Sequence, residues 1–149
     1  MNMEKWRNVP GFEGKYQIDI STPEGKCRSL CFRGHEGFTR ELTVSPSKRD
    51  GRIYWHFYKD GKSIKWQAAR WIALTFPELV QNEYFEGAEI DHIDSNKMNN
   101  HPSNLRWVRK EDQAKNLNTR LKFSLSHLGV PKSQETRRRM SEAHKKKKE

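Results

Sequence analysis

The sequence has few cysteines, a modest share of hydrophobic residues and no long apolar run. Two cysteines among 149 residues cannot build a disulfide-rich secreted scaffold or a four-cysteine zinc site. No stretch approaches the roughly 18 apolar residues of a transmembrane helix, and the residues after Met1 are too polar for a secretory signal. Hydrophobic residues make up 33% of the chain, which indicates a small core. We therefore expect a soluble cytoplasmic protein with extended or surface segments.

Acidic residues are also scarce relative to basic ones. The chain has 29 Lys and Arg against 19 Asp and Glu, a net charge of +10. Residues 1–108 carry a net charge of +2 and residues 109–149 carry +8. A basic segment with so few apolar residues is either disordered or bound along a polyanion. Nucleic acid is the first expectation for that partner and an acidic membrane the second, while a solvated tail without a partner is the alternative.

Hydrophobic periodicity and turn residues predict a mixture of strands and short helices. A hairpin is predicted around Asp60-Gly61, and a short helix is predicted to end before Pro77. Residues 31–50 are polar and match no clear pattern. The predicted strands comprise residues 16–18, 27–30, 52–58, 63–67, 89–93 and 105–108.

The order of elements after residue 89 is strand, polar Asn-rich loop, strand and helix. The helix is predicted to begin near Lys110 and to run to about Arg120. This order is a ββα unit. A last helix is predicted from Gln134 to about Lys146, with Ser133 as its N-cap.

Asp91 and His92 are the residues of this unit with the clearest chemical potential. A carboxylate is a hard ligand suited to Mg²⁺, and a neutral imidazole can accept a proton from water. Asparagine side chains offer an oxygen for a metal or a carbonyl that orients an imidazole. An Asp-His pair and an Asn-rich loop are often merely structural. The wider pattern is more specific, because Asn104-Leu-Arg-Trp follows His92 at a spacing of twelve residues and precedes a helix.

The pattern resembles the HNH endonucleases of the ββα-metal fold, in particular phage and intron homing endonucleases. The resemblance is carried by Asp91-His92-Ile93-Asp94, Asn96-Lys97, Asn99-Asn100 and Asn104-Leu105-Arg106-Trp107-Val108. Residues 6–30 resemble a module that often precedes such nuclease domains. Residues 132–145 resemble a nuclease-associated DNA-binding motif.

The resemblance implies an α+β protein with a ββα-metal (HNH) catalytic core. It divides the chain into an N-terminal β-rich DNA-binding module of residues 1–50, a nuclease domain of residues 51–120 with its preceding hairpin and helix, and a basic helical DNA-binding extension of residues 121–149. The N-terminal module is expected to be a small antiparallel sheet.

The resemblance also implies roles for individual residues. His92 is expected to be the general base, Asp91 to bind a single divalent metal, and Asn104 to hold the His92 imidazole through its side-chain carbonyl. The third position of the metal site is usually Asn or His in the family, and here the spacing places Gln113 there. Asn116, at i+3 from Gln113, is the neighbour that can face the same site.

The implied reaction is hydrolysis of a phosphodiester bond in double-stranded DNA, with Mg²⁺ or Mn²⁺ as the metal and no small-molecule cofactor. One ββα site cuts one strand, so a monomer is expected to nick DNA in the cytoplasm of a bacterial or phage-infected cell. No membrane partner is expected. The residues expected to contact phosphates are Lys132, Arg137, Arg138, Arg139, Lys145 and Lys146.

Two other functions remain open from the sequence. The departure at Gln113 fits a catalytically weak or inactive DNA-binding protein derived from such a nuclease. An RNA-binding protein is the third possibility, in which the aromatic residues of the segment 54–58 stack on unpaired bases. Such an aromatic cluster is more typical of a hydrophobic core.

Overall fold

The structure is a computed structural model that describes residues 5–32, 35–113, 115, 120–121, 124–125, 128–129 and 133–146. The chain divides into two compact units, Met1–Asn116 and Leu117–Glu149. Within the described ranges, no helix has the length and apolar character needed to cross a membrane.

The first unit begins with a four-stranded antiparallel sheet. Its strands, in the order in which they pair, are β1 (Arg7–Asn8), β2 (Tyr16–Asp19), β3 (Lys26–Phe32) and β4 (His35–Glu41). The predicted strands at 16–18 and 27–30 are confirmed. Strand β4 lies in the segment 31–50, for which the sequence predicted no element. The residues of β4 whose burial is described are exposed, so the strand shows no alternation of polar and apolar side chains.

The turn between β2 and β3 packs directly against the rest of the unit. Gly25 has φ +77°, and a Cβ atom at this position would lie 2.6 Å from Cδ1 of Ile72. The buried carboxylate of Asp19 accepts hydrogen bonds from the Ser21 amide at 2.7 Å and hydroxyl at 3.0 Å. Residue 25 must be glycine, because its φ is positive and because a Cβ atom there would collide with the side chain of Ile72.

A hairpin and a helix follow, as predicted. Strands β5 (Tyr54–Lys59) and β6 (Lys62–Gln67) are joined by Asp60-Gly61, whose φ values of 52° and 72° are typical of a type I′ turn. Helix α1 spans Ala68–Thr75, and a 3₁₀ turn at Pro77–Leu79 follows it. Proline at this point lacks an amide proton and cannot extend the helix.

The predicted ββα order is present in the next segment. Strand β7 (Glu89–His92) pairs antiparallel with β8 (Leu105–Val108), and helix α2 (Lys110–Gln113) follows. A 3₁₀ turn at Pro102–Asn104 leads into β8. The predicted continuation of the helix to Arg120 falls largely on residues 114 and 116–119, which lie outside the described residues.

One hydrophobic core joins the N-terminal sheet to the hairpin, α1 and the ββα unit. The Tyr16 and Phe57 rings stack at 4.3 Å, and Trp71 packs against Phe57 at 4.4 Å. Trp55 and Trp107 are buried in the same core. The aromatic strand β5 is thus mainly a core element, as its pattern indicated, although Tyr58 at its end is exposed.

The described part of the second unit contains one long helix, α3 (Gln134–Lys146). The Ser133 hydroxyl accepts a hydrogen bond from the Thr136 amide at 3.2 Å, which confirms the predicted N-cap. All side chains from Ser133 to Glu142 are exposed. This helix therefore gains its stability from capping and from pairs along its own surface.

Candidate active site

Asp91 and His92 lie at the end of β7, where the chain enters the Asn-rich loop. Alternation along the strand places them on opposite faces: His92 is buried with 4% exposure, while Asp91 is half-buried. The imidazole is packed toward the core and the carboxylate lies on the face that carries Arg106 of β8. The imidazole and the carboxylate belong to adjacent residues, but their surroundings are different.

The orientation of the His92 ring is determined by Asn100. Nε2 of His92 lies 2.9 Å from Oδ1 of Asn100, and Nδ2 of Asn100 donates to the carbonyl oxygen of Glu24 at 3.1 Å. Because a carbonyl oxygen only accepts, Nδ2 must face Glu24 and Oδ1 must face His92. Nε2 therefore carries the proton in the neutral ring, and Nδ1 is the nitrogen with the lone pair.

Burial keeps the His92 imidazole neutral. Removal from water lowers the pKa of His92 below its ordinary value of 6.5, and the positive charge of Arg52 acts in the same direction. The hydrogen bond with Asn100 and the carboxylates of Asp91 and Asp94 oppose this shift without reversing it. A neutral imidazole near pH 7 is the form that can accept a proton.

Asn104 does not make the predicted contact with the imidazole. Its Oδ1 accepts from the Asp94 amide at 3.1 Å, and its Nδ2 donates to Oδ1 of Asp94 and to the carbonyl of Asn99, each at 2.9 Å. His92 pairs with Leu105 across the two strands, so Asn104 lies one residue beyond that pair, at the mouth of the loop. Its amide therefore fastens the loop that carries Asn100.

Asp94 is the centre of this loop network. In addition to Asn104, its carboxylate accepts from the Asn96 amide at 2.7 Å and from Nδ2 of Asn99 at 2.9 Å. Partial burial would raise the pKa of Asp94, but these hydrogen bonds outweigh it and hold the pKa below its ordinary value. The roles of Asp94 and Asn100 were not predicted individually, although the density of Asn and Asp in this segment is a sign of a loop closed by side chains.

Asp91 is held by Arg106, which faces it in the strand register. Nε and one terminal nitrogen of Arg106 donate to Oδ2 of Asp91 at 2.9 and 2.7 Å. Both bonds end on the same carboxylate oxygen. The pair orients the carboxylate, and Oδ1 lies outside the contact with Arg106.

Gln113 closes α2 and lines a cleft of about 350 Å³ in the first unit. Arg52, Arg70 and Glu89 line the same cleft. The neighbouring Asp112 instead pairs with Lys115 at 2.7 Å, a contact that lowers the pKa of the Asp112 carboxyl. Asn116, the second residue considered for the metal site, lies outside the described residues.

The candidate oxygen ligands for a metal are therefore one carboxylate, Asp91, and one amide, Gln113. Among the described residues there is no group of three or more His, Cys, Asp and Glu side chains that could hold a metal. Mg²⁺ needs no such cage, since it is typically held by one or two protein oxygens together with waters and substrate phosphates. The donor set is thus compatible with a hard divalent cation.

The predicted phosphate contacts lie on or next to α3. Arg138 and Arg139 lie 3.2 and 3.1 Å from the carboxylate of Glu135, and Arg138 also pairs with Glu142 at 3.8 Å. Arg137 is exposed and takes part in none of these ion pairs. Lys145 and Lys146 belong to the helix, but their side chains, like all of Lys132, lie outside the described part of the chain.

Known proteins resemble this chain in sequence and in fold. Residues 82–115 match the model of the HNH endonuclease family. The chain is 31% identical over 131 residues to the DNA endonuclease I-HmuI of Bacillus phage SP01, an alignment that covers 88% of this chain and 64% of the relative. A solved structure on DNA binding and cleavage by the HNH homing endonuclease I-HmuI matches with a TM-score of 0.59 and 28% identity, and covers 89% of this chain and 64% of that one.

The chain therefore spans 64% of the length of the relative that it matches. The family-model match contains Asp91, His92, Asn104 and Gln113, and so includes the whole ββα segment. This confirms the resemblance predicted from the Asp91-His92 motif and its spacing to Asn104. Residues 82–115 thus match the HNH endonuclease model, in a chain similar in sequence and fold to a phage homing endonuclease.

Proposed function

We propose that this protein is a metal-dependent DNA endonuclease of the HNH homing type, which hydrolyses phosphodiester bonds. The observation that carries the proposal is the buried His92, whose Nε2 is paired with Asn100 and whose neighbour in the strand is Asp91. This arrangement provides a base of defined tautomer and, on the preceding residue of the strand, an oxygen ligand. The similarity to I-HmuI supports DNA as the substrate.

His92 would act through Nδ1, which takes a proton from the attacking water. Asn100 keeps the opposite nitrogen protonated, so the ring does not need to change tautomer before it reacts. Proton removal by a positioned base typically contributes 10²- to 10⁴-fold to a rate. The resulting hydroxide attacks phosphorus in line with the departing 3′ oxygen, and the products carry 5′-phosphate and 3′-hydroxyl ends.

Asp91 and Gln113 would hold one divalent cation, and hard oxygen donors favour Mg²⁺ or Mn²⁺. When bound, the cation supplies positive charge that stabilises the phosphorane-like transition state and the leaving oxygen. Arg106 keeps the Asp91 carboxylate in place through Oδ2. The Asn104–Asp94 network keeps the loop closed, so that Asn100 stays on the imidazole.

Double-stranded DNA would be bound by the basic second unit together with the N-terminal sheet. Arg137 to Arg139 and the lysines at 132, 145 and 146 would contact phosphates, which position a protein without reading the sequence. A single catalytic segment per chain supports action as a monomer that nicks one strand. The relative from a Bacillus phage supports a bacterial or phage-infected cytoplasm as the place of action.

Gln113 also favours a second candidate function, a DNA-binding protein with little or no nuclease activity. Asn or His is usual at this position in the family, and the side chain of Gln is one methylene longer than that of Asn. If that extra length moves the amide oxygen out of reach of the cation, the protein binds DNA and does not cut it.

Nicking of supercoiled plasmid in Mg²⁺, Mn²⁺ or EDTA tests the proposal. Wild type should nick with either metal and not in EDTA, and His92→Ala should lose at least 10²-fold in rate. His56→Ala is the matched control, because His56 is exposed on β5 and faces away from the core. Equal nicking by wild type and His92→Ala would contradict the assignment of the base, while DNA binding without cleavage in both metals would favour the second candidate.

A further inference from the structure

The cleft that Gln113 lines is strongly cationic. Arg52 precedes β5, Lys65 lies on β6 and Arg70 lies in the first turn of α1, and all three line its wall. The acidic residue of the lining is Glu89 at the start of β7. Three cations thus face one carboxylate in a space of about 350 Å³, which is too small for a duplex and large enough for part of one strand.

In the described part of the chain, the cations of the cleft make hydrogen bonds and ring contacts rather than ion pairs. Among the described residues, none of the salt bridges includes Arg52, Lys65 or Arg70. Arg52 donates to the neutral amide of Gln67 at 2.8 Å, and the Lys65 ammonium lies 5.1 Å from the centre of the Tyr54 ring. These contacts orient the cations and leave their charge available for an anion.

Arg70 is the most constrained of the three. Its guanidinium lies over the rings of Trp66 and Trp107, at 4.8 and 5.6 Å from their centres, and one terminal nitrogen donates to the carbonyl of Ala88 at 3.2 Å. Its Nε is buried and has no hydrogen-bond partner among the described protein atoms. A half-buried guanidinium with no ion-pair partner among the described residues is a costly arrangement, and an anion bound in the cleft would offset that cost.

The position of the cleft connects it to the proposed reaction. Gln113, a candidate metal ligand, is part of its wall, and Ile90 in the same wall lies two residues before His92. An anion bound between Arg52 and Arg70 would therefore lie beside the reacting phosphate.

We propose that Arg52, Lys65 and Arg70 form a binding site for one backbone phosphate of the DNA strand that is cut, adjacent to the phosphate that is hydrolysed. The planar guanidinium of Arg70 suits the oxygens of a phosphodiester, and the aromatic rings around it hold it in place before DNA arrives. The inference rests on the proposed function for the identity of the strand. The binding step itself does not require cleavage.

Equilibrium binding of the full chain to a labelled 30-base-pair duplex in EDTA, across a range of salt, tests the site without cleavage. Arg70→Gln and Lys65→Gln should each weaken binding several-fold and reduce the slope of log affinity against log salt by about one. Because both cations serve one phosphate, the double variant should show little further change in slope. Lys62→Gln is the matched control, since Lys62 is an exposed lysine on the same strand and outside the cleft.

Lys65 is exposed, so its substitution tests the site even if Arg70→Gln disturbs the packing of the two tryptophans. Slopes and affinities for both variants equal to those of Lys62→Gln would overturn the proposal. If the cleft variants weaken binding while wild type shows no nicking in Mg²⁺ or Mn²⁺, the phosphate site stands and the proposed catalysis fails. If wild type nicks and the cleft variants bind and nick as the control does, the phosphate site alone fails.

Discussion

Nε2 of His92 lies 2.9 Å from Oδ1 of Asn100, and this contact ties the proposed base to the N-terminal sheet. The Asn100 amide donates to the Pro23 carbonyl at 2.7 Å, and its Nδ2 donates to the Glu24 carbonyl at 3.1 Å. Asn100 itself is 2% exposed. The turn between β2 and β3 is therefore part of the support of the imidazole, although it lies about 70 residues earlier in the chain.

Loss of the Asn100 side chain should disturb catalysis through the tautomer of His92. In Asn100→Ala the ring loses the acceptor that keeps the proton on Nε2, so we expect a 10- to 100-fold lower single-turnover nicking rate, at or below the lower end of the 10²- to 10⁴-fold that a positioned base contributes. Nitrogen NMR of the labelled imidazole should show a mixture of tautomers, which a purely structural defect would not produce. Asn82→Ala is the control, because Asn82 donates to the Trp107 carbonyl. An unchanged tautomer in Asn100→Ala would contradict this role.

The stability of the protein should depend on pH through His92. Its pKa in the folded state is below 6.5, so as pH falls the unfolded chain binds a proton before the folded one does. The contribution of His92 is constant above about pH 7, decreases as pH falls through 6.5 and levels off below the folded pKa. Urea unfolding in EDTA at pH 7.5 and 5.0 should show a smaller loss for His92→Gln than for wild type. The same loss in both proteins would show that His92 is not kept neutral by the fold.

Two glycine substitutions separate backbone strain from lack of space. Gly14 and Gly25 both have positive φ, at 73° and 77°, but only Gly25 is packed against another side chain, that of Ile72. We expect Gly14→Ala to cost about 1 kcal/mol of unfolding free energy. Gly25→Ala should cost roughly 1–3 kcal/mol more from overpacking. Chemical denaturation measures both, and equal costs would mean that the β2–β3 turn can move away from α1.

Substitutions of Gln113 distinguish the two candidate functions. If its amide oxygen helps to hold the metal, Gln113→Ala should need a higher Mg²⁺ concentration to reach half of its maximal nicking rate, and added Mg²⁺ should restore the rate. Gln113→Asn should nick at least as well as wild type, because Asn is one of the two residues usual at this position in the resembled family. Asp112→Asn is the control on the same helix, since Asp112 pairs with Lys115. No dependence of Mg²⁺ requirement on residue 113 would exclude it as a ligand.

Ion pairs along α3 should make its arginines unequal in DNA binding. Arg138 and Arg139 are paired with Glu135, whereas Arg137 is in none of the ion pairs among the described side chains of the helix. We therefore expect Arg137→Gln to weaken binding more than Arg138→Gln. The charge of Arg138 is already offset by Glu135 and Glu142, and these exposed carboxylates would repel phosphate only weakly once Arg138 is removed. Deletion of residues 133–149 should flatten the salt dependence by several units of slope. Unchanged salt dependence in the deletion variant would remove the second unit from the DNA interface.

The elements with strong local signals were predictable. The hairpin β5–β6 was indicated by Asp60-Gly61, the end of α1 by Pro77 and the start of α3 by Ser133, since each depends on the conformational preference of one or two residues. Strand β4 was not predictable, because a polar strand paired on one edge takes its conformation from its neighbour rather than from its own pattern.

The sequence by itself determined the chemistry available to this protein. The Asp91-His92 motif, its spacing to Asn104 and the basic C-terminal segment are properties of the chain, and they predicted the HNH segment that the comparisons confirm. Only the tertiary structure decided which residues serve that chemistry. Asn100 holds the imidazole where Asn104 was expected to, because side-chain direction depends on where the loop crosses the β2–β3 turn. The cleft of Arg52, Lys65 and Arg70 likewise arises only when distant segments pack together, since isolated basic residues in the sequence do not reveal that they share a wall.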